Sequence, residues 1–178
     1  MKVRILKAAA GAFSRAGYDA VGVREIATLA DTDPAIVIRL FGSKAELFAI
    51  LAENAFGAED VFDGPLEKLG TRLADHLMSP LDASAADDET NDFLLLLRSA
   101  TSLTAAPILS AALHRGLIEP LGKRIGWPDG TARAALVTAQ VLGFSTLRFA
   151  LGSPPIEHTD RRAMTARLAG LIQICVDV

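Results

Sequence analysis

Two helix beginnings near the start of the chain carry the residue types best suited to bind a phosphate group. Asp33 is a good helix cap, and Pro34 fits the first helical position after it. The segment Ser43-Lys44-Ala45-Glu46 is a capping box in which the lysine adds a positive charge. Because the unpaired amides of a helix N-terminus attract anions, both places suit the backbone of a nucleic acid.

Residues for catalysis or metal binding are not grouped in this sequence. His76, His114 and His158 are far apart and lack the short spacing of metal ligands on one helix. The single cysteine, Cys175, excludes an intramolecular disulfide and a cysteine-based metal cluster. The segment 143–147 does not form a nucleophile elbow, and the sequence has no glycine-rich phosphate loop. We therefore expect no enzymatic activity, catalytic residue, metal or cofactor.

The composition is that of a globular protein, with 51% hydrophobic and 22% charged residues among 178. No apolar run reaches the roughly 20 residues that span a bilayer, and the start does not resemble a signal peptide. We therefore expect a cytoplasmic protein without a membrane contact. Residues 1–56 hold seven Lys/Arg against six Asp/Glu, whereas residues 57–178 hold eleven against fifteen. A slightly basic module on an acidic body is typical of a protein that touches DNA at one end.

Apolar residues recur at helical spacing nearly throughout, which predicts an all-α fold of about nine helices. Helices are predicted at 3–16, 23–30, 34–40, 43–56, 65–78, 90–102, 107–125 with a bend at Pro120, 131–151 and 160–176. The segment 79–89 is predicted to be a mobile loop, and 152–155 a helix break.

The helices at 23–30 and 34–40 are short and joined by a short turn, as in a helix-turn-helix. The second helix is well capped and could project its first residues into the major groove. We therefore divide the chain into a three-helix helix-turn-helix DNA-binding head at 1–56 and a helical-bundle body at 57–178.

Many head residues stand at spacings that are typical of one family: Ile5-Leu6-Lys7-Ala8-Ala9, Phe13, Gly17-Tyr18, Val23-Arg24-Glu25-Ile26-Ala27, Ala30, Phe41 and Ser43-Lys44-Ala45-Glu46-Leu47. Over about residues 3–51 the chain resembles the head of the tetracycline-repressor (TetR) family. The body is similar to the variable C-terminal domains of that family in the number and length of its helices. The stretch from Phe93 through Arg98-Ser99-Ala100-Thr101 to Pro120-Leu121 is similar to one recurring type of body.

The resemblance implies a ligand-responsive transcriptional repressor that binds a palindromic double-stranded DNA operator as a homodimer. The last two long helices would form a four-helix interface with the second subunit, so the body at 57–178 would serve ligand binding and dimerisation. A small organic ligand in the body would spread the heads and release the operator. The alternative is a ligand-binding helical dimer with weak or lost DNA binding; an all-α enzyme is a third class without a catalytic constellation.

Family positions that contact DNA correspond in this chain to Arg24, Pro34, Ala35, Ile36, Arg39 and Lys44. Pro34, Ala35, Ile36 and Arg39 match exposed positions of the recognition helix, and Lys44 matches a lysine that binds phosphate. We expect Arg39 to read a base, because its guanidinium fork fits guanine in the major groove. A phosphate contact or simple solvent exposure is the alternative for Arg39.

The chain departs from the family pattern at several DNA-facing positions. Asp31 replaces the usual glycine of the turn, where aspartate still tolerates a left-handed backbone. Ile38 stands where an aromatic residue, commonly tyrosine, is usual, and it cannot donate a hydrogen bond to phosphate. Gly22 replaces a threonine or serine, and we expect little basic arm before the first helix. We expect weaker DNA binding or an unusual operator, with a flatter dependence on salt.

Polar residues within the apolar helices of the body need partners, which could be a ligand, another side chain or the opposing subunit. A mainly apolar cavity with a few polar groups is the usual form of a ligand site. The residues predicted to line it are Phe93, Arg98, Thr101, His114, Gln140, Phe144 and Arg148. Arg98 and Arg148 would suit an acidic ligand.

Overall fold

The computed structural model describes residues 1–56, 62–79 and 92–177, and in this part of the chain every regular element is a helix. The all-α prediction is therefore confirmed. The helices are α1 (Lys2–Ala16), α2 (Val23–Leu29), α3 (Pro34–Phe41), α4 (Lys44–Phe56), α5 (Leu69–Met78), α6 (Asp92–Ser99), α7 (Ala105–Leu113), α8 (Glu119–Ile125), α9 (Gly130–Ser145), α10 (Pro154–Glu157) and α11 (Arg161–Val176). The predicted loop at 79–89 lies outside the described residues, apart from Ser79.

The N-terminal unit contains α1 to α4 together with α6 and α7. Its core begins with the apolar stripe of α1, where Ile5, Ala9 and Phe13 are fully buried. Phe48 of α4 meets the Phe13 ring edge-on, with 5.1 Å between the ring centroids. Leu95 of α6 belongs to the same hydrophobic core. Thus two helices from the segment 57–178 pack onto the predicted head, and the functional boundary at residue 56 stays a prediction.

Two serine hydroxyls at the end of α6 join this helix to the turn that follows α1. Ser99, which is fully buried, accepts a hydrogen bond from the backbone N–H of Tyr18 at 3.1 Å. Ser102 donates to the Asp19 carboxylate at 2.9 Å and accepts from the backbone N–H of Ala105 at 3.1 Å. Because Ser102 caps the start of α7, α6 ends at Ser99 and the predicted helix at 90–102 is too long.

The C-terminal unit contains α5 and α8 to α11. Helices α5 and α11 cross closely at Gly70, where a Cβ atom would lie 2.3 Å from the carbonyl oxygen of Ala169. Gln173 of α11 accepts from the Gly70 N–H at 3.0 Å and donates to the Leu66 carbonyl at 3.1 Å. The absence of a side chain at Gly70 and the two hydrogen bonds of the Gln173 amide together fix the position at which α5 and α11 cross.

Prolines and wider helical turns account for further differences from the predicted elements. The predicted helix at 107–125 is instead α7, a π-helical segment at His114–Ile118, and α8. Pro120 lacks the N–H that an α-helical turn requires, and a wider turn precedes it. The predicted break at 152–155 contains the beginning of α10, in which Pro154 occupies the first turn. The start of α11 agrees with its prediction, since Asp160 caps it by accepting from the Arg162 N–H at 3.0 Å.

Replacing Ser99 by alanine tests the junction between α6 and the turn after α1. The substitution removes the acceptor of the buried Tyr18 N–H, so we expect the free energy of unfolding to fall by about 1–3 kcal/mol. The matched control is Thr101→Ala, at an exposed position, for which we expect a change within about 0.5 kcal/mol. Urea denaturation at one protein concentration compares them. Equal stability of the two variants would contradict this role of Ser99.

Candidate nucleic-acid interface

The turn between α2 and α3 has the conformation that its sequence predicts. Asp31 adopts a left-handed backbone with φ 45°, as expected for the residue that replaces glycine. Asp33 caps α3 by accepting a hydrogen bond from the Ala35 N–H at 2.7 Å. Arg4 of α1 donates to the Asp31 carbonyl at 2.9 Å, which ties the turn to the first helix. The turn therefore fixes where α3 begins.

Helix α3 presents one buried face and one exposed face. Val37 and Phe41 fill the core, with exposed fractions of 1% and 9%. Ala35, Ile38 and Arg39 are exposed on the opposite side, at the spacing that places side chains on one helical face. Three side chains of α3 thus project away from the scaffold, as a recognition helix requires.

Two of the predicted recognition positions are less exposed than the sequence indicated. Pro34 is half-buried, and Ile36 is half-buried and packs against the hydrophobic core. The expectation of an exposed Ile36 is therefore wrong, since the helix turns this side chain toward the scaffold. Its contact with DNA stays a prediction, as do those of the other five residues.

Helix α2 carries Arg24 on its exposed side. Gly22 stands at its N-cap in an extended conformation, and no side-chain cap is present. Space around Gly22 is open, since a Cβ atom there would meet no other atom within 4 Å. The fold therefore does not require glycine at this position. The absence of a hydroxyl group changes the chemistry of the surface there and not the packing.

The capping box at the start of α4 is confirmed. The Ser43 N–H donates to the Glu46 carboxylate at 2.7 Å, and the Glu46 N–H donates to the Ser43 hydroxyl at 3.1 Å. This reciprocal pairing fixes the first turn of α4 and therefore the position of Lys44.

Lys44 has a structural role that its sequence position did not reveal. Its ammonium donates to the backbone carbonyls of Tyr18 and Val21, each at 3.0 Å. It also lies 4.1 Å from the centroid of the Tyr18 ring, within the range of a cation–π interaction. The ammonium has three donors, so two of them hold the segment before α2. A phosphate contact from Lys44 stays a prediction, and one N–H donor of the ammonium is left for it.

Tyr18 is the buried partner of this lysine. Its ring stacks on Phe13, with centroids 5.8 Å apart, and meets Phe48 edge-on at 5.0 Å. Burial, reinforced by the negative charge of the neighbouring Asp19, raises the pKa of the Tyr18 hydroxyl above its usual value. The Gly17-Tyr18 pair indicated a helix end in the sequence, but nothing in it pointed to Lys44 or Ser99 as partners.

Two family models match this chain, one in its N-terminal part and one in its C-terminal part. Residues 5–51 match the model described as bacterial regulatory proteins, tetR family. Residues 67–176 match the model described as the tetracyclin repressor-like C-terminal domain. The chain belongs to the TetR family. It is thus a regulator with a helix-turn-helix for DNA binding, and TetR-family regulators are generally not enzymes.

Solved TetR-family structures share this fold. A regulator from Streptomyces coelicolor A3 is 26% identical, with a TM-score of 0.65 over 98% of this chain and 93% of that one. A putative regulator from Rhodococcus sp. is 18% identical, with a TM-score of 0.67 over 99% and 100% of the two chains. NalD of Pseudomonas aeruginosa, the secondary repressor of the MexAB-OprM multidrug efflux pump, is 19% identical, with a TM-score of 0.65 over 93% of each chain. No curated protein matches the chain.

The two arginines predicted to bind ligand form hydrogen bonds to backbone carbonyls. Arg98 donates to the carbonyl of Arg15 at the end of α1. Arg148 donates to the carbonyls of Leu77 and Ser79 at the end of α5, the latter at 2.8 Å. Burial, with a smaller effect of the nearby Arg161, lowers the pKa of Arg148. These hydrogen bonds give both guanidinium groups partners without a ligand. An acidic ligand would have to displace the carbonyls from them.

The other predicted ligand residues are divided between the two units. Phe93 is half-buried and Thr101 exposed in the N-terminal unit. In the C-terminal unit Phe144 is half-buried, whereas His114 and Gln140 are exposed. An open groove of about 760 Å³ between α5 and α11 is lined by other residues, among them Asp75 and Arg161. The seven assignments therefore stay predictions.

The described part of this TetR-family chain contains neither a candidate metal site nor a helix that could span a membrane. Among residues 1–56, 62–79 and 92–177 there is no group of three or more His, Cys, Asp or Glu side chains that could hold a metal ion. In the same part of the chain, no helix has the length and apolar character needed to cross a membrane.

The pKa of Tyr18 can be measured directly, because this residue is the only tyrosine in the chain. We expect the tyrosinate absorbance near 295 nm to appear above the ordinary pKa of about 10 in the folded protein, and near 10 in urea. Because the folded state keeps its proton to higher pH, the stability contributed by Tyr18 is complete below about pH 10 and falls as pH rises through the folded pKa. Identical folded and unfolded titrations would contradict the burial of this hydroxyl.

Proposed function

We propose that this TetR-family chain is a ligand-responsive transcriptional repressor that binds a palindromic operator as a homodimer and is released by a small organic effector. The observation that carries DNA recognition is the exposed face of α3, formed by Ala35, Ile38 and Arg39. Arg39 is the only one of these three side chains that can hydrogen-bond a base edge, and its fork fits guanine. Repression is the direction proposed because NalD, which shares the fold, is a repressor.

The interaction with DNA would use few charged side chains. Arg24 and Arg39 are exposed, while two of the three Lys44 donors bind carbonyls. Helix N-termini capped by Asp33 and by the Ser43 box add amides that attract phosphate. We therefore expect a weak dependence of affinity on salt, since each phosphate contact contributes to the slope.

Substitution of Arg39 by methionine tests base recognition. A gel-shift assay on DNA flanking the gene, or on a random duplex library, first identifies a bound sequence. We expect Arg39→Met to weaken binding of that sequence by about 1–3 kcal/mol, while non-specific binding changes little. Arg162→Met is the matched control, because Arg162 is exposed on α11 of the body. A folded dimer without any sequence-specific binding would support the alternative, a ligand-binding dimer that has lost DNA recognition.

The proposed dimer interface is formed by exposed apolar and small residues of α9 and α11 in the C-terminal unit. Leu136 of α9 and Leu171 and Ile174 of α11 are 55%, 54% and 74% exposed. Gly143 and Gly170 lie on the same two helices, and no atom would come within 4 Å of a Cβ placed on either of them. Large apolar side chains beside small ones allow helices of a second copy to approach closely, as a four-helix interface requires.

Charges introduced into this face should dissociate the dimer. We expect the double variant Leu171→Glu/Ile174→Glu to elute as a monomer of 18.8 kDa in size-exclusion chromatography with light scattering, and the unchanged chain to have twice that mass. The control is Leu103→Glu, which places the same charge at a 96% exposed leucine in the N-terminal unit. A dimeric double variant, or a monomeric unchanged chain, would contradict the proposed interface.

The effector is supported by the match of residues 67–176 to the tetracyclin repressor-like C-terminal domain. A ligand that binds only the native state raises its melting temperature, so a thermal-shift screen of small organic compounds is the direct search. A compound that raises the melting temperature and also releases the bound DNA would be the effector.

A further inference from the structure

The exposed isoleucine of the recognition helix has a chemistry that limits what it can bind. Ile38 is 45% exposed, while its neighbour Val37 fills the core at 1%. The core beneath α3 is thus complete without Ile38, and this side chain projects from the same face as Ala35 and Arg39. Isoleucine has no hydrogen-bond donor or acceptor in its side chain, so it reads neither phosphate nor the polar edges of bases.

The major groove offers one apolar group to such a side chain, the C5 methyl of thymine. Cytosine has only a hydrogen at that position, and the purines present polar atoms. We propose that Ile38, with Ala35 beside it, is a specificity-determining residue that selects thymine through its methyl group in each half-site of the operator. This inference rests on the proposed function and assigns a part of the sequence preference to a residue without polar atoms.

Two properties of the α3 surface favour this contact. The β-branched side chain of Ile38 has essentially one rotamer in a helix, so little entropy is lost when a methyl group packs on it. Ala35 stands three residues earlier on the same face and is small, which lets the helix come close to the base edges. Arg39 supplies the polar contact beside them, so α3 would contact the bases through both an apolar and a polar side chain.

Deoxyuridine provides the test, because it pairs as thymine does and lacks only the methyl group. An operator is first selected from a random duplex library with the whole 178-residue chain, and each thymine is then replaced in turn. Burying one methyl-sized group corresponds to about fourfold in affinity. We expect one thymine in each half-site to show this loss, and about 15-fold when both are replaced.

Two variants connect the methyl effect to Ile38. In Ile38→Ala the ratio of thymine to uracil affinities should fall close to one, and we expect the fold to be kept because the position is exposed. In Arg39→Met the overall affinity should fall while that ratio is kept. An operator indifferent to uracil at every position, or a ratio unchanged in Ile38→Ala, would overturn this inference and leave the proposed function standing. Failure to select any sequence would overturn the proposed function, and this inference with it.

Discussion

The hydrogen bonds and ring contacts of Tyr18 hold together the segment that leads into the helix-turn-helix. Its N–H donates to Ser99, its carbonyl accepts from Lys44, and its ring packs against Phe13 and Phe48. One residue thereby joins the end of α1 to α4 and α6. Since Lys44 also holds the Val21 carbonyl, the residues immediately before α2 are fixed from two sides. The recognition helix depends on this arrangement because α2 and the Asp31 turn determine where α3 starts.

Three arginine side chains bind backbone carbonyls at the C-terminal ends of helices. Arg98 binds a carbonyl at the end of α1, Arg148 binds two at the end of α5, and Arg133 binds those of Cys175 and Val176 at the end of α11. The last carbonyls of a helix lack intrahelical partners, and the helix dipole favours a cation there. The charge of the guanidinium and its several donors suit both needs. These side chains explain how charged residues are accommodated in strongly apolar helices.

Local signals in the sequence predicted much of the N-terminal unit. The left-handed Asp31, the cap at Asp33 and the box at Ser43 each depend on residues within a few positions, so their chemistry is readable from the order of residues. The partners of Lys44, Arg98 and Arg148 were not predicted, because their acceptors lie up to 26, 83 and 71 residues away. Such pairs depend on how helices pack, and periodicity alone does not specify packing. The same reason explains why periodicity does not reveal that α6 and α7 pack in one unit with α1 to α4.

The division of labour on α3 has a consequence for how this regulator can evolve. Val37 and Phe41 carry the packing, so Ala35, Ile38 and Arg39 can be exchanged without loss of the fold. Lys44 lacks this independence, because a change there also removes the bonds to Tyr18 and Val21. If α3 contacts DNA as proposed, a lineage could retarget its regulator to new promoters by mutating these three surface positions, whereas selection on stability would act against a change of Lys44. Drift in the recognition sequence would thus be concentrated in one short helix.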